Sequence, residues 1–379
     1  MIGNHFSLIL LPTLKCNADC DYCFENKVAA YLTLEQLSIL MEKVLDYMEQ
    51  QRIGSLAIYW QGGEVMTLPP HWFEQANERI AKAAEVRNKQ VQHYLQSNMI
   101  AYSDKWNPVI ADMFGNGVGS SVDFPNLHRK VLGGRPEAFN SLWLQKVQEA
   151  RAAGIDVQVI SIPNKETLAV GAERFYAYLV DELRITSFQV NTPFPGGELS
   201  DPNQGFLLDT ERLSRFLTEL VDVWVERGYD QGVRIGPFDE LINYFITGSG
   251  CLPCIWQQNC ASGFICIDAR GYVSQCDCWV TSYPDYWFGN IFEDRSLAEL
   301  LQASPARRRF QERPALLLLQ EDCLSCDYLA VCHGGCPIRT YTVRNTIFAK
   351  DPYCKLYQSL FSHMEEIAAK LARMSVGSN

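Results

Sequence analysis

The sequence predicts an α/β protein of parallel strands followed by a cysteine-rich segment. Three observations carry that expectation. Strand-like and helix-like runs alternate six times over the first two-thirds of the chain. After about Gly236 the alternation stops, and eleven of the 14 cysteines fall between Cys251 and Cys354. The 379 residues are 47% hydrophobic, 20% charged and 12% aromatic, the composition of a well-packed globular chain.

The apolar run at 6–11 reads as a buried strand. A helix over 33–50 follows, with Thr33 and Gln36 as a capping box and Leu37, Leu40, Met41, Val44, Leu45 and Met48 as its apolar stripe. The next units are a strand over 56–60 with a helix from about 71 to 87, then a strand over 91–96 with a helix over 104–114. A strand over 118–122 precedes a helix over 138–153 ended by Gly154. A strand over 157–162 precedes a helix reaching about Leu183, and a strand over 186–191 precedes a helix over 210–227 ended by Gly228. Consecutive β-then-α units imply parallel strands with right-handed crossovers, in an open doubly wound sheet or a barrel. In both, loops after the strand C-termini build the site. The change of texture places a domain boundary near Pro237, giving a core over 1–236 and a second domain over 237–379. The latter ends in an amphipathic helix over about 355–374.

The net charge of −11, with 33 basic and 44 acidic residues, argues against nucleic acid or an anionic membrane as partner. Apolar runs such as 316–319 are too short to span a bilayer, and no signal peptide is visible, so a cytoplasmic protein is expected. In a reducing cytosol the cysteines read as metal ligands rather than disulfides.

Cys16, Cys20 and Cys23 form C-x3-C-x2-C directly after the first strand. Three thiolates on one loop suit three irons of a [4Fe–4S] cube and leave the fourth open. Zinc, the competing metal, prefers a fourth ligand, and none lies nearby in sequence. With Tyr22 before Cys23 and Gln61-Gly62-Gly63-Glu64 after the second strand, the chain resembles the radical S-adenosylmethionine (SAM) enzymes. That resemblance implies that Tyr22 meets the adenine through its backbone and that Gly62, Gly63 and Glu64 hold the methionyl amino group. Glycine permits close backbone approach, and a carboxylate pairs with an ammonium. The family usually has proline where this chain has Val65. Gln96-Ser97-Asn98 resembles the family's Thr-Asn-Gly stretch, which brings Asn98 to the SAM site. Ser120-Ser121-Val122-Asp123 with His128 and Arg129 resembles its segment after strand four. It implies Ser121 and Arg129 as further SAM contacts, with Arg135 as a substitute for the arginine.

The C-terminal cysteines resemble the SPASM extension of this family. The resemblance implies a first auxiliary [4Fe–4S] cluster on Cys254, Cys260, Cys276 and Cys336, and a second on Cys323, Cys326, Cys332 and Cys354. Cys251 is a rival for Cys254, Cys266 reads as a small core residue, and Cys278 as a flanking one. Two zinc knuckles are the competing reading of the array. The implied fold is an incomplete (β/α)6 TIM-type barrel carrying a SPASM domain. The implied cofactors are three [4Fe–4S] clusters and SAM.

The expected activity is modification of a ribosomally made peptide by 5′-deoxyadenosyl-radical hydrogen abstraction, giving a crosslink, an oxidation or a backbone excision. The rival enzyme reading is an anaerobic sulfatase-type maturase making formylglycine, to which Cys276-Asp277 points. There an aspartate after the matching cysteine is proposed to take a proton, which implies a catalytic Asp277. A metal-stabilised binding scaffold without turnover is the reading from another class. Expected partners are a precursor peptide and an electron donor such as flavodoxin or ferredoxin. With 15 residues before Cys16, a separate leader-peptide recognition protein, or direct recognition of the core peptide, is also expected.

Overall fold

The structure is a computed structural model that describes residues 4–196, 208–258 and 260–376. Its first strands are β1 (His5–Leu11), β2 (Ser55–Trp60) and β3 (Gln90–Leu95). They are followed by β4 (Gly117–Ser121), β5 (Asp156–Ser161), β6 (Ser187–Val190) and β7 (Arg234–Gly236). The cysteine-rich part adds β8 (Phe264–Asp268), β9 (Tyr272–Ser274) and β10 (Gly289–Asn290). One sheet runs β10-β9-β8-β1-β2-β3 and the other β4-β5-β6-β7. Every pair from β1 to β7 within these sheets is parallel. A parallel bridge between Gln96 and Gly119 joins the two sheets. The fold is therefore α/β with parallel strands, as the alternation predicts.

The helices sit where burial requires them. Helix α1 (Leu34–Gln50) is capped by Thr33, whose side chain accepts from the Gln36 N–H while Gln36 reaches back to the Thr33 N–H. All six residues of its predicted stripe are buried. Helices α2 (Pro70–Val86), α3 (Asn107–Phe114) and α4 (Pro136–Ala152) follow their strands. The single helix expected after β5 is instead broken into α5 (Lys165–Val170), α6 (Ala172–Tyr176) and a wide turn over Ala177–Glu182. The break falls at Gly171, whose φ of +82° is a left-handed conformation that interrupts the helix. Helix α7 (Thr210–Arg227) closes the sixth unit.

The segment after Pro237 does not stand beside the core as a separate layer. β8 runs parallel to β1, with Ile9 opposite Cys266 and Leu11 opposite Asp268. The cysteine-rich part thus extends the sheet that carries the Cys16 loop, and Cys266 is fully buried within it. The C-terminal helix Cys354–Val376 packs on α7 and on the helix Phe238–Thr247. No helix among the described residues is long and apolar enough to cross a membrane.

Candidate metal centres and cofactor site

The three N-terminal thiols lie on the loop leaving β1. Burial pushes the Cys16 thiol up to about 12 and the Cys23 thiol up to about 11. The Ala18 N–H donates to Cys16 Sγ at 3.4 Å, and the Lys27 ammonium lowers the cost of charge on both thiols. Desolvated thiols of this kind are held protonated until a metal replaces the proton.

The Gly-Gly-Glu turn docks onto this loop. The Gly63 N–H donates to Thr13 O at 3.1 Å and the Glu64 N–H to Lys15 O at 2.9 Å. A Cβ on Gly62 would meet Thr13 O at 2.5 Å, and one on Gly63 would meet Lys15 O at 2.5 Å. Only glycine fits either position, and Gly62 also has a φ of +134°. Glu64 is buried, and burial raises its carboxyl against three donors. Oε1 accepts from Ser97 Oγ at 2.7 Å and the Met66 N–H at 2.9 Å; Oε2 accepts from the Asn98 N–H at 2.7 Å. A carboxylate has about four lone-pair sites, so one stays open for an ammonium. Val65 is fully buried beneath the turn.

Asn98 meets this site through its backbone, while its side chain donates to Asn17 Oδ1 at 2.7 Å. Ser121 Oγ accepts from Gln96 Nε2 at 3.2 Å at the end of β4. Tyr22 and Arg129 converge on Asp123, a hub the sequence does not mark out. The Tyr22 hydroxyl and Arg129 Nε, the latter at 3.0 Å, both donate to Asp123 Oδ2, and the Ile162 N–H donates to Oδ1 at 2.9 Å. The Arg129 guanidinium also lies 5.3 Å from the Tyr22 ring centroid. Arg135, by contrast, is exposed at the start of α4.

Cys276 caps the short helix Asp277–Val280. Asp277 Oδ2 accepts from Gln61 Nε2 at 2.9 Å, so the carboxylate touches the residue that opens the Gly-Gly-Glu turn. Burial raises its carboxyl. Just beyond, Ser282 Oγ donates to Phe24 O at 2.7 Å, and the Asn26 N–H donates to Thr281 Oγ1 at 3.3 Å. These two bonds brace the Cys16–Cys23 loop against the C-terminal part. Two positions before Gln61, on the same strand face, Tyr59 stacks on Tyr94 with centroids 4.9 Å apart, and both rings are exposed.

Cys254, Cys260, Cys276 and Cys336 lie near one another: Cys254 and Cys260 are both raised by burial first, then by the Cys336 and Cys276 thiols. Cys251 and Cys254 are both exposed by surface area, and of the two it is Cys254 that lies near Cys336 and Cys276. Cys323, Cys326, Cys332 and Cys354 all line one cavity of about 110 Å³ with Asp351 and Gln358, and Gln358 Nε2 donates to Cys326 Sγ at 3.4 Å. Asp351 ties the two groups together. Its Oδ2 accepts from the Cys336 N–H at 3.0 Å and its Oδ1 from the Tyr353 N–H at 2.9 Å, one residue before Cys354.

Tetrahedral zinc draws its thiolates to about 3.8 Å from one another. Among the described residues, the group of ligand atoms found within 4.8 Å of one another is Cys276, Asp277 and Cys278. Among the described residues, none of the three proposed sets brings three thiols within that spacing.

No protein-family model matches the chain. It is 23% identical over 372 residues to the cysteine-type anaerobic sulfatase-maturating enzyme of Clostridium perfringens strain 13, covering 94% of this chain and 95% of that protein. It is 23% identical over 379 residues to the serine-type anaerobic sulfatase-maturating enzyme of Bacteroides thetaiotaomicron, covering 92% of this chain and 86% of that one. Among solved structures, native anSMEcpe with bound AdoMet and Cp18Cys peptide superposes with a TM-score of 0.83 at 22% identity, over 97% of this chain and 99% of that one. Streptococcus suis SuiB bound to S-adenosylmethionine gives a TM-score of 0.53 at 17% identity, over 92% and 75%. At such identities the structural likeness speaks for the fold. With the cysteine triad and the Gly-Gly-Glu turn, the matches make the chain a radical SAM enzyme. Within that class, the curated relatives named above are sulfatase-maturating enzymes.

Proposed function

We propose that this enzyme oxidises a cysteine or serine side chain of a peptide or protein substrate, in the manner of a sulfatase-type maturase. The observation that carries the reading is the Asp277–Gln61 contact at 2.9 Å, which sets a carboxylate beside the SAM-holding turn. The whole-length likeness to sulfatase-maturating enzymes supports it over peptide crosslinking or backbone excision. The fold is read as an incomplete (β/α)6 barrel with a SPASM domain. Cys16, Cys20 and Cys23 would hold the SAM cluster, and the two C-terminal sets would hold auxiliary clusters.

When bound, the reduced cluster and SAM supply a 5′-deoxyadenosyl radical that abstracts a hydrogen from the substrate. The chain's own residues do the rest. The remaining lone pair of Glu64 takes the SAM ammonium, while Ser97 and the Asn98 N–H keep the carboxylate in place. The half-buried Tyr22 with the buried Asp123 and Arg129 would form one wall of the SAM site, with Ser121 at the end of β4 beside it. The exposed Tyr59–Tyr94 stack lines the open face where a peptide would lie. An Asp277 oxygen would accept the proton lost as the substrate radical is oxidised, with the auxiliary cluster proposed on Cys254, Cys260, Cys276 and Cys336 as the one-electron acceptor, since losing a proton with the electron keeps the product neutral. Such general-base help is worth about 10²–10⁴-fold. Flavodoxin or ferredoxin would supply electrons, and the enzyme would act in the cytoplasm.

The test is Asp277→Asn, assayed with a peptide carrying a single Cys or Ser. Intact clusters and continued 5′-deoxyadenosine release are expected, with aldehyde product falling at least about a hundredfold. Near-normal aldehyde formation would remove Asp277 from the mechanism. A crosslinked or shortened peptide instead of an aldehyde would return the enzyme to the wider group of ribosomal-peptide maturases.

A further inference from the structure

The first auxiliary group gathers more thiols than a cube can use. Besides Cys254, Cys260, Cys276 and Cys336, the half-buried Cys278 lies with its ligand atom within 4.8 Å of those of Cys276 and Asp277. The other spare cysteines are placed differently, Cys251 at an exposed position and Cys266 inside β8.

Sulfurs bound to different corners of a cube point outward and stand about 6 Å apart. Two thiols within 4.8 Å therefore address one corner, not two. A closed structural zinc site would need a fourth protein ligand, and among the described residues no other ligand-type side chain joins this group within that distance.

Resting on the cluster assignment above, we propose that Cys278 is an alternate ligand for the corner of the first auxiliary cluster that Cys276 holds. In the exchange the Cys276–iron bond breaks and the Cys278–iron bond forms. The proton that Cys278 loses is matched by the one the freed Cys276 thiolate takes up, and no electron is gained or lost. Asp277 lies between the two cysteines in the first turn of the helix Asp277–Val280. Exchange therefore moves the carboxylate relative to Gln61 Nε2 and links the ligation of this cluster to the placing of the proposed base.

The experiment uses the full chain, reconstituted anaerobically, and follows iron release to a ferrous chelator in wild type and Cys278→Ala. Both should start with the same iron, and Cys278→Ala should release cluster iron about tenfold faster, since no second thiol recaptures the freed corner. Equal release rates would overturn the proposal. Cys276→Ala should keep its full iron with an altered auxiliary-cluster EPR signal, whereas Cys276→Ala with Cys278→Ala should lose about four irons per chain. A loss of four irons from Cys276→Ala alone would also overturn it. Where Cys276→Ala does not fold, the wild-type and Cys278→Ala release rates decide. Wild-type protein carrying zinc in place of iron overturns the cluster assignment itself and is distinguishable from either result.

Discussion

At the residue scale, the function rests on a few close approaches that allow no substitute. A Gly63 Cβ would sit 2.5 Å from Lys15 O, so Gly63→Ala must lift the turn off the Cys16 loop. It should abolish SAM cleavage while far-UV circular dichroism stays native. Ser97 makes one of three hydrogen bonds to Glu64. A hydrogen bond to a charged group is worth about 1.5–3 kcal/mol, so Ser97→Ala should weaken SAM binding roughly 10-fold, read by equilibrium titration, and Ser97→Thr should restore it. The proposed cluster cysteines and the Gly-Gly-Glu turn stand out in the sequence because their spacing runs along a few residues. The role of Ser97 and the hub at Asp123 do not. Both arise from contacts between loops that follow different strands, 33 positions apart for Ser97 and Glu64 and 101 for Asp123 and Tyr22. Gln61 was visible as the opening of the turn, but its bond to Asp277 spans 216 positions.

At the element scale, the six β-then-α units are readable because each amphipathic helix buries a periodic stripe against its strand. The apolar run around Cys266 reads as strand-like and forms β8, but β9 and β10 are not readable, because a run of two or three residues carries too little alternation to separate it from a loop. One element also carries a pH signature. On β3, His93 is partly buried, and its Nδ1 accepts from the Trp60 Nε1–H at 3.0 Å. Burial lowers its imidazole from 6.5 to about 4. The unfolded chain therefore binds a proton here below about pH 6.5 that the folded chain refuses until about pH 4. The stability tied to His93 is complete above pH 6.5 and drains away as the pH falls toward 4. Between pH 7 and pH 5 the wild type should lose about 1–2 kcal/mol more than His93→Gln, which keeps an acceptor but does not titrate, by urea denaturation at each pH. Parallel pH curves for the two proteins would show that His93 is not the titrating group.

At the scale of the whole molecule, the cysteine-rich part acts as both a brace for the sheet and a wall of the site. β8 lies against β1, Ser282 and Thr281 hold the Cys16 loop, and Arg313 stitches the C-terminal loops together. Arg313 is buried and donates to Ile347 O at 2.7 Å, Gly334 O at 3.1 Å and Ala349 O at 3.3 Å. Arg313→Met keeps the stem but leaves the Ile347 and Ala349 carbonyls unpaired, while Gly334 O keeps the Asp351 N–H; it should cost about 3 kcal/mol in denaturant unfolding while exposing the second cysteine set to chelators. The sequence placed a boundary near Pro237 because the texture changes there. Pairing between β1 and β8, some 257 residues apart in register, is the kind of contact that texture cannot reveal. The central claim is that three cysteine sets hold iron–sulfur clusters and that the Cys16, Cys20 and Cys23 set cleaves SAM. The most direct measurement is iron, sulfide and zinc per chain, with 5′-deoxyadenosine formation, in wild type and a Cys16→Ala, Cys20→Ala, Cys23→Ala variant. Wild type should hold roughly twelve irons and as many sulfides, and the variant roughly eight with no 5′-deoxyadenosine. Stoichiometric zinc with little iron, or 5′-deoxyadenosine still formed by the variant, would contradict the account.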